Sequence, residues 1–189
     1  MLSQLRPALI LFIAFMLLTG IAYPFAMTGI AQMIFPVAAN GSLVKDGDTV
    51  RGSALIGQGF TSERYFWSRP SAAGNGYDAS ASSGANLGPT SKKLIDRVAA
   101  NAERIKAASD VTSLPPDAVT ASASGLDPDI SPAYALLQAK RVARARNMPE
   151  DKVRALVEAH AGQPILGFLG EPRVNVLLLN RALDAMAPG

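Results

Sequence analysis

Between Arg6 and Lys45 the chain carries no charged side chain, so the run from Pro7 to Val44 is free of formal charge. Within it, thirteen of residues 8–35 are Leu, Ile, Phe or Val. At roughly −0.3 to −0.6 kcal/mol each for insertion, these side chains favour the bilayer by about 4–8 kcal/mol with no charge opposing them. About 20 residues cross a hydrocarbon core. The run is therefore long enough to span with tilt, its end reaching the interface near Gln32 and Pro36. A buried core helix would show a polar face, and this segment has none. A cleavable signal peptide is the competing reading, because Val37-Ala38-Ala39 suits a signal peptidase. Signal peptides carry an apolar region of only about 7–15 residues, which favours a retained transmembrane helix over 8–35.

Small residues suggest where that helix meets a partner. Thr19, Ala22, Ala26 and Gly29 recur at helical spacing and form one stripe, which lets another helix approach closely in lipid. Pro24 lies four residues after Gly20, so a mild kink is expected where the proline ring meets that carbonyl. The flanking charges are close to a tie: Arg6 and the amino group on one side, Lys45 and Arg51 on the other. The simpler arrangement has a short cytoplasmic tail, residues 1–7, and residues 36–189 exported as one extracytoplasmic domain.

The remainder carries 17 Lys+Arg against 15 Asp+Glu, with no long basic run, which speaks against a nucleic-acid partner. There is no cysteine, which excludes thiolate metal sites, a cysteine nucleophile and disulfides. Residues 40–48 read as a turn-rich exit from the membrane, residues 49–60 as short strands with bends, and Tyr65-Phe66-Trp67 as another strand. A Ser/Gly/Ala-rich stretch, 68–88, reads as a long loop with little surface to bury. After Pro89 helical periodicity begins, with Leu94, Ile95, Val98, Ala102 and Ile105 on one face. Leu114-Pro115-Pro116-Asp117 opens a new element. Ser131-Pro132 caps a helix running to about Asn147, and Pro149 opens another with the stripe Val153, Leu156, Val157. Pro164 to Glu171 is a turn region with a short apolar piece, and Val174 to Met186 closes the chain as an apolar helix. The expected class is α+β: one N-terminal transmembrane helix followed by a single helix-rich domain.

Catalytic chemistry finds little support. His160 is the only histidine, and it follows Val153, Leu156 and Val157 at helical spacing, which suits a structural role. Ser42 and Lys45 match an S-x-x-K pattern, but its companion S-D-N and K-T-G motifs are absent. The loop Gly84 to Thr90 precedes a helix and could present N–H groups to an anion, yet it lacks the Gly-Lys-Ser/Thr ending of a P-loop and reads better as a packed turn. Asn40-Gly41-Ser42 is formally a glycosylation acceptor set very close to the span. There is no Asp-Lys-Thr-Gly phosphorylation sequence and no Thr-Val-Gly-Tyr-Gly filter, so this chain cannot pump by itself.

Several stretches taken in order resemble the C subunit of the Kdp-type potassium-transporting ATPase. They are Leu5-Arg6-Pro7-Ala8, Asn40-Gly41-Ser42-Leu43, Val50 to Gln58, Ser68-Arg69-Pro70-Ser71-Ala72, Ser83 to Thr90 and Val119 to Pro128. Further on come Gln138 with Arg141 to Arg146, and Leu169-Gly170-Glu171 with Val174-Asn175-Val176 and Leu179-Asn180. The match departs at Asp129, where many members of that family carry histidine, and the loop before Asn86 is less glycine-rich than is common.

The resemblance implies an accessory, non-catalytic subunit of a bacterial inner-membrane complex that imports potassium using ATP. It further implies three partners: a channel-like subunit, a P-type ATP-hydrolysing subunit and a very small membrane subunit. ATP and K+ would be handled by the complex, with no cofactor assigned to this chain. In that family the C subunit is described as a catalytic chaperone that raises the ATP affinity of the hydrolysing subunit. Two mechanisms stay open: an extracytoplasmic cap over the ion entrance, which is preferred, or contact with nucleotide, for which Gln138 is the side chain to test first. Arg51, Arg69, Asn86, Arg141, Asn175 and Asn180 recur in the matched motifs as subunit-interface or structural residues. Outside the resemblance, the rival readings are a membrane-anchored cell-envelope hydrolase and, if the N-terminus is cleaved, an exported solute-binding protein.

Overall fold

A computed structural model describes residues 2–109, 111, 113–164 and 166–186, and it divides into two compact units, Met1–Arg51 and Gly52–Gly189. The division falls further along the chain than the end of the apolar run at Phe35.

The first unit is dominated by one continuous apolar helix of 30 residues, Leu5–Ile34, with none of its residues buried by the rest of the chain. It consists of α1 (Leu5–Leu17), a π-helical turn (Leu18–Ala22) and α2 (Tyr23–Ile34). Proline explains the wide turn. Pro24 has no N–H to give and its ring crowds the carbonyl four residues back, so the helix widens just before it. Tyr23 N–H accordingly reaches the carbonyl of Leu18, five residues away. Thr19 Oγ1 donates to the Phe15 carbonyl at 2.7 Å in the turn preceding.

Phe35 leaves the helical region (φ −131°), and the short α3 (Pro36–Ala39) follows. Gln32 and Asn40 pair their carboxamides here, Asn40 Nδ2 donating to Gln32 Oε1 at 2.9 Å. The sequence placed the end of the span at this point. Beyond it, β1 (Leu43–Asp46) and β2 (Thr49–Ser53) form a two-stranded sheet, turned at Gly47 (φ +59°).

The second unit is helix-rich. Its elements are α4 (Lys92–Ser109), α5 (Pro116–Val119), β3 (Asp129–Ile130), α6 (Pro132–Arg146), α7 (Glu150–Ala159), β4 (Val174–Asn175) and α8 (Val176–Met186). The α+β class expected from the sequence is thus observed, with very little β: β3 pairs antiparallel with β4, Asp129 opposite Asn175 and Ile130 opposite Val174. Helix α6 is the centre. Ser131 caps it, Oγ accepting from Tyr134 N–H at 3.0 Å, Pro132 occupies its first turn and Asn147 (φ +54°) ends it in the left-handed conformation. Its Tyr134, Ala135, Ala139, Val142 and Ala143 join Val153 and Val157 of α7, Leu179 and Leu183 of α8, and Ile105 of α4 in one core.

Two expectations are corrected and a third in part. Ile95 does not belong to the buried face of α4: it is 58% exposed whereas Ile105 is 1% exposed, because Ile95 lies one residue off the row that faces α6. Tyr65-Phe66-Trp67 is not a strand; it runs as irregular backbone whose hydrogen bonds go to side chains. The 68–88 stretch is the long loop expected, but it does bury Ser68 and Ala73 and is pinned. Ser71 Oγ donates to the Gly125 carbonyl at 2.6 Å, Tyr77 Oη donates to the Arg69 carbonyl at 2.5 Å, and Ser83 N–H donates to the Ser124 carbonyl at 3.0 Å. Small residues make this close layering possible: Ala73 is fully buried, and a Cβ on Gly125 (φ +68°) would fall 2.6 Å from Ala73 N.

Candidate functional site

A set of buried polar side chains in the second unit surrounds residues 63–68. Apolar patterning brings α6 and α8 together, and each offers one carboxamide to this segment. Asn180 Oδ1 accepts from Phe66 N–H at 2.8 Å, and its Nδ2 donates to the Phe66 carbonyl at 3.0 Å. Gln138 repeats the arrangement one residue on, accepting from Trp67 N–H at 2.7 Å and donating to the Trp67 carbonyl at 3.1 Å. Two carboxamides thus supply what a neighbouring strand would supply, and both are almost fully buried.

Two arginines of α6 complete the grip. Arg141 donates to the carbonyls of Glu63 (2.6 Å) and Tyr65 (3.0 Å) and to Gln138 Oε1 (2.7 Å), and its guanidinium lies 3.8 Å over the Trp67 ring. Burial pushes its pKa down to about 10, an effect that the Glu63 carboxylate and Tyr134 oppose. Arg104 of α4 also lies over the Trp67 ring, at 4.9 Å. Arg146 donates to the Arg64 carbonyl (2.7 Å) and to Asp184 of α8 (2.5 Å), while Tyr65 Oη donates to the other Asp184 oxygen at 3.1 Å. Tyr134 is fully buried beneath this cluster, and burial raises its phenol pKa to about 12.

The sequence-derived residues therefore separate. Gln138, Arg141 and Asn180 come together on one segment and point inward. Asn175 ties β4 to the second unit's first turn, Nδ2 donating to the Ala54 carbonyl at 2.9 Å, and its Oδ1 accepts from Leu178 N–H to cap α8. Arg69 pairs with Asp127 at 2.8 Å. Arg51 pairs with Asp46 at 3.2 Å on the exposed first-unit hairpin. Asn86 stands apart in a left-handed turn (φ +49°) before α4. Patterning alone missed Tyr65, Trp67, Arg104 and Asp184. The signal for Trp67 was there, since a lone tryptophan beside Tyr65 and Phe66 is a large apolar surface that something must cover.

An open groove of about 560 Å³ elsewhere on the second unit is lined among others by Arg69, Asp117, Asp127, Asp129 and Arg173. Two ion pairs lie along it, Arg69 with Asp127 at 2.8 Å and Arg173 with Asp129 at 3.2 Å, while Asp117 accepts from Ser131 N–H and Oγ. Burial raises the Asp129 pKa, Arg173 opposes that rise and Asp127 adds to it. Among the described residues no cluster of His, Cys, Asp or Glu is placed to hold a metal ion. His160 ends α7, its Nδ1 2.9 Å from the Leu156 carbonyl. Ser42 closes a turn (φ +49°) and Lys45 is exposed on β1.

This geometry ties residues 63–68 to α6 and α8. The family model described as "K+-transporting ATPase, c chain" matches residues 5–185. The potassium-transporting ATPase KdpC subunit of Caulobacter vibrioides is 59% identical over 189 residues, covering 100% of this chain and 96% of that protein. The subunit of the same name from Allorhizobium ampelinum is 59% identical over 186 residues, covering 98% and 97%, and that of Rhodopseudomonas palustris is 51% identical over 200 residues, covering all of both.

Proposed function

Given that the chain belongs to the KdpC family, the c chain of K+-transporting ATPases, we propose that it works as a non-catalytic, membrane-tethered subunit that stabilises the potassium-importing complex from the extracytoplasmic side. Family membership along nearly the whole chain displaces the envelope-hydrolase and solute-binding readings. The observation that supports the mechanism is the 30-residue apolar helix, unburied and apolar enough to cross a membrane, whose exposed side chains favour lipid over water.

Ala22, Ala26 and Gly29 form the partner face of that helix. Thr19 lies inside the π turn Leu18–Ala22, and on our reading the wider turn, roughly one residue more than an α turn, carries it off this line. The second unit then acts as a cap beside the channel-like subunit, while K+ and ATP are handled by the other subunits. Its gripped 63–68 segment makes it a rigid body able to hold an interface without reordering. Contact with nucleotide through Gln138 would require breaking three hydrogen bonds inside the core.

A topology experiment tests the cap. The chain has no cysteine, so Ser80→Cys on the exposed turn Ala79–Ala81 introduces a unique label site. An impermeant thiol reagent should reach it from outside intact cells. Labelling only after cytoplasmic access is opened would eliminate the cap.

A further inference from the structure

The chain between α7 and β4 forms a hairpin whose role nothing above explains. Its base is closed by paired backbone bonds, Gly162 N–H to the Arg173 carbonyl at 2.8 Å and Arg173 N–H to the Gly162 carbonyl at 3.2 Å. Gly167 N–H donates back to the Pro164 carbonyl at 3.0 Å and tightens the tip. On that tip Leu166, Phe168 and Leu169 are 78%, 74% and 51% exposed. Leu166 also sits at φ +56°, a conformation that costs a leucine about 1–2 kcal/mol. The fold therefore holds strain in order to display an apolar side chain, a combination that marks a functional contact.

We propose that this hairpin is a preformed apolar knob that seats in an uncharged apolar pocket of another subunit of the ATPase complex, an inference that rests on the accessory-subunit reading above. Charge and composition select the occupant. Between Gly162 and Glu171 there is no Lys, Arg, Trp or Tyr, the residues that hold a segment at a lipid interface. A second copy of this chain does not fit either. Grooves among the described residues carry charged side chains, one lined by Arg69, Asp117, Asp127 and Arg173 and another by Arg97. An apolar knob would strand those charges without partners. Three side chains supply an anchor and not a whole interface, which buries about 1,200–2,000 Å² in stable complexes.

The test uses the full chain, tagged, and the ATPase complex isolated with it in detergent. Phe168→Ser with Leu169→Ser should lower retention of the other subunits at least about tenfold, equivalent to about 1.4 kcal/mol, with the thermal unfolding of the chain unchanged. Leu166→Gly should unfold at the same or higher temperature, since glycine accepts the positive φ, and should still lose subunits. A photo-crosslinking phenylalanine analogue at position 168 should join the chain to a different polypeptide. Wild-type retention by the double serine variant would overturn the proposal, as would adducts to lipid alone or to a second copy. If the unaltered chain itself retained no ATPase subunit, the accessory-subunit reading would fail first, which separates the two failures.

Discussion

Asn180 and Gln138 lie on different helices, yet their carboxamides bind consecutive residues, Phe66 and Trp67, each closing a two-bond ring on the backbone. The covering segment is thereby fixed without being a strand, and its register follows from side chains of α6 and α8.

Removing either carboxamide leaves a buried N–H and a buried carbonyl unpaired, at about 1–3 kcal/mol each. Gln138→Ala and Asn180→Ala are expected to destabilise the detergent-solubilised chain by roughly 2–4 kcal/mol in urea unfolding. The assembled complex should keep its ATP affinity once the folded fraction is matched. A Gln138→Ala chain of normal stability with altered ATP affinity would instead assign this side chain to nucleotide.

The Tyr134 hydroxyl is buried with no hydrogen-bond partner, so Tyr134→Phe should leave stability unchanged or raise it by about 1 kcal/mol at neutral pH. The folded pKa is raised to about 12 from the ordinary 10.0. Between those values the native state keeps a proton that the unfolded state has released. The wild type should therefore lose stability relative to the phenylalanine variant as pH climbs from 10 towards 12, and not below that window. Paired denaturation curves across that range measure the difference.

Gly125→Ala should cost at least about 2 kcal/mol, because the residue has φ +68° and the new methyl would lie 2.6 Å from Ala73 N and 2.8 Å from the Ser83 carbonyl. Circular dichroism melting reads the loss. An unchanged melting temperature would mean that the 68–88 layer is not pinned as described.

In the span, Ala22→Leu or Ala26→Leu should reduce co-purification of the other subunits while membrane insertion and the melting of the second unit stay as they were. Thr19→Leu should be tolerated, because the π turn takes position 19 off the Ala22, Ala26, Gly29 line. Equal sensitivity at position 19 would contradict the rotated register.

Much of this protein could be read along the chain. A charge-free run of apolar residues specifies one long helix apolar enough to cross a membrane, because insertion free energy is additive over neighbouring side chains, and the order of motifs from Leu5 to Asn180 suffices to identify the family. Helices α6, α7 and α8 were legible for a similar reason. Capping by Ser131, the proline at 132 and the apolar stripe of Val153 and Val157 are local rules that act within a few residues.

The site was legible only as a set of residue types. Gln138, Arg141 and Asn180 could be named from motifs, but whether a carboxamide faces solvent or backbone depends on what packs above it. Here that is a segment more than 70 residues from Gln138 and 114 from Asn180 in sequence. Trp67 looked like strand because β-propensity reports a fit to a pleated, half-buried surface, and tertiary packing supplied that surface from helices. Ile95 fell off its expected face because a helical face is settled by the neighbour it meets, which spacing along the chain does not record. Hydrophobicity and capping act locally and survive in one dimension. Hydrogen-bond pairing between distant residues is created when the core closes, and it exists only in three.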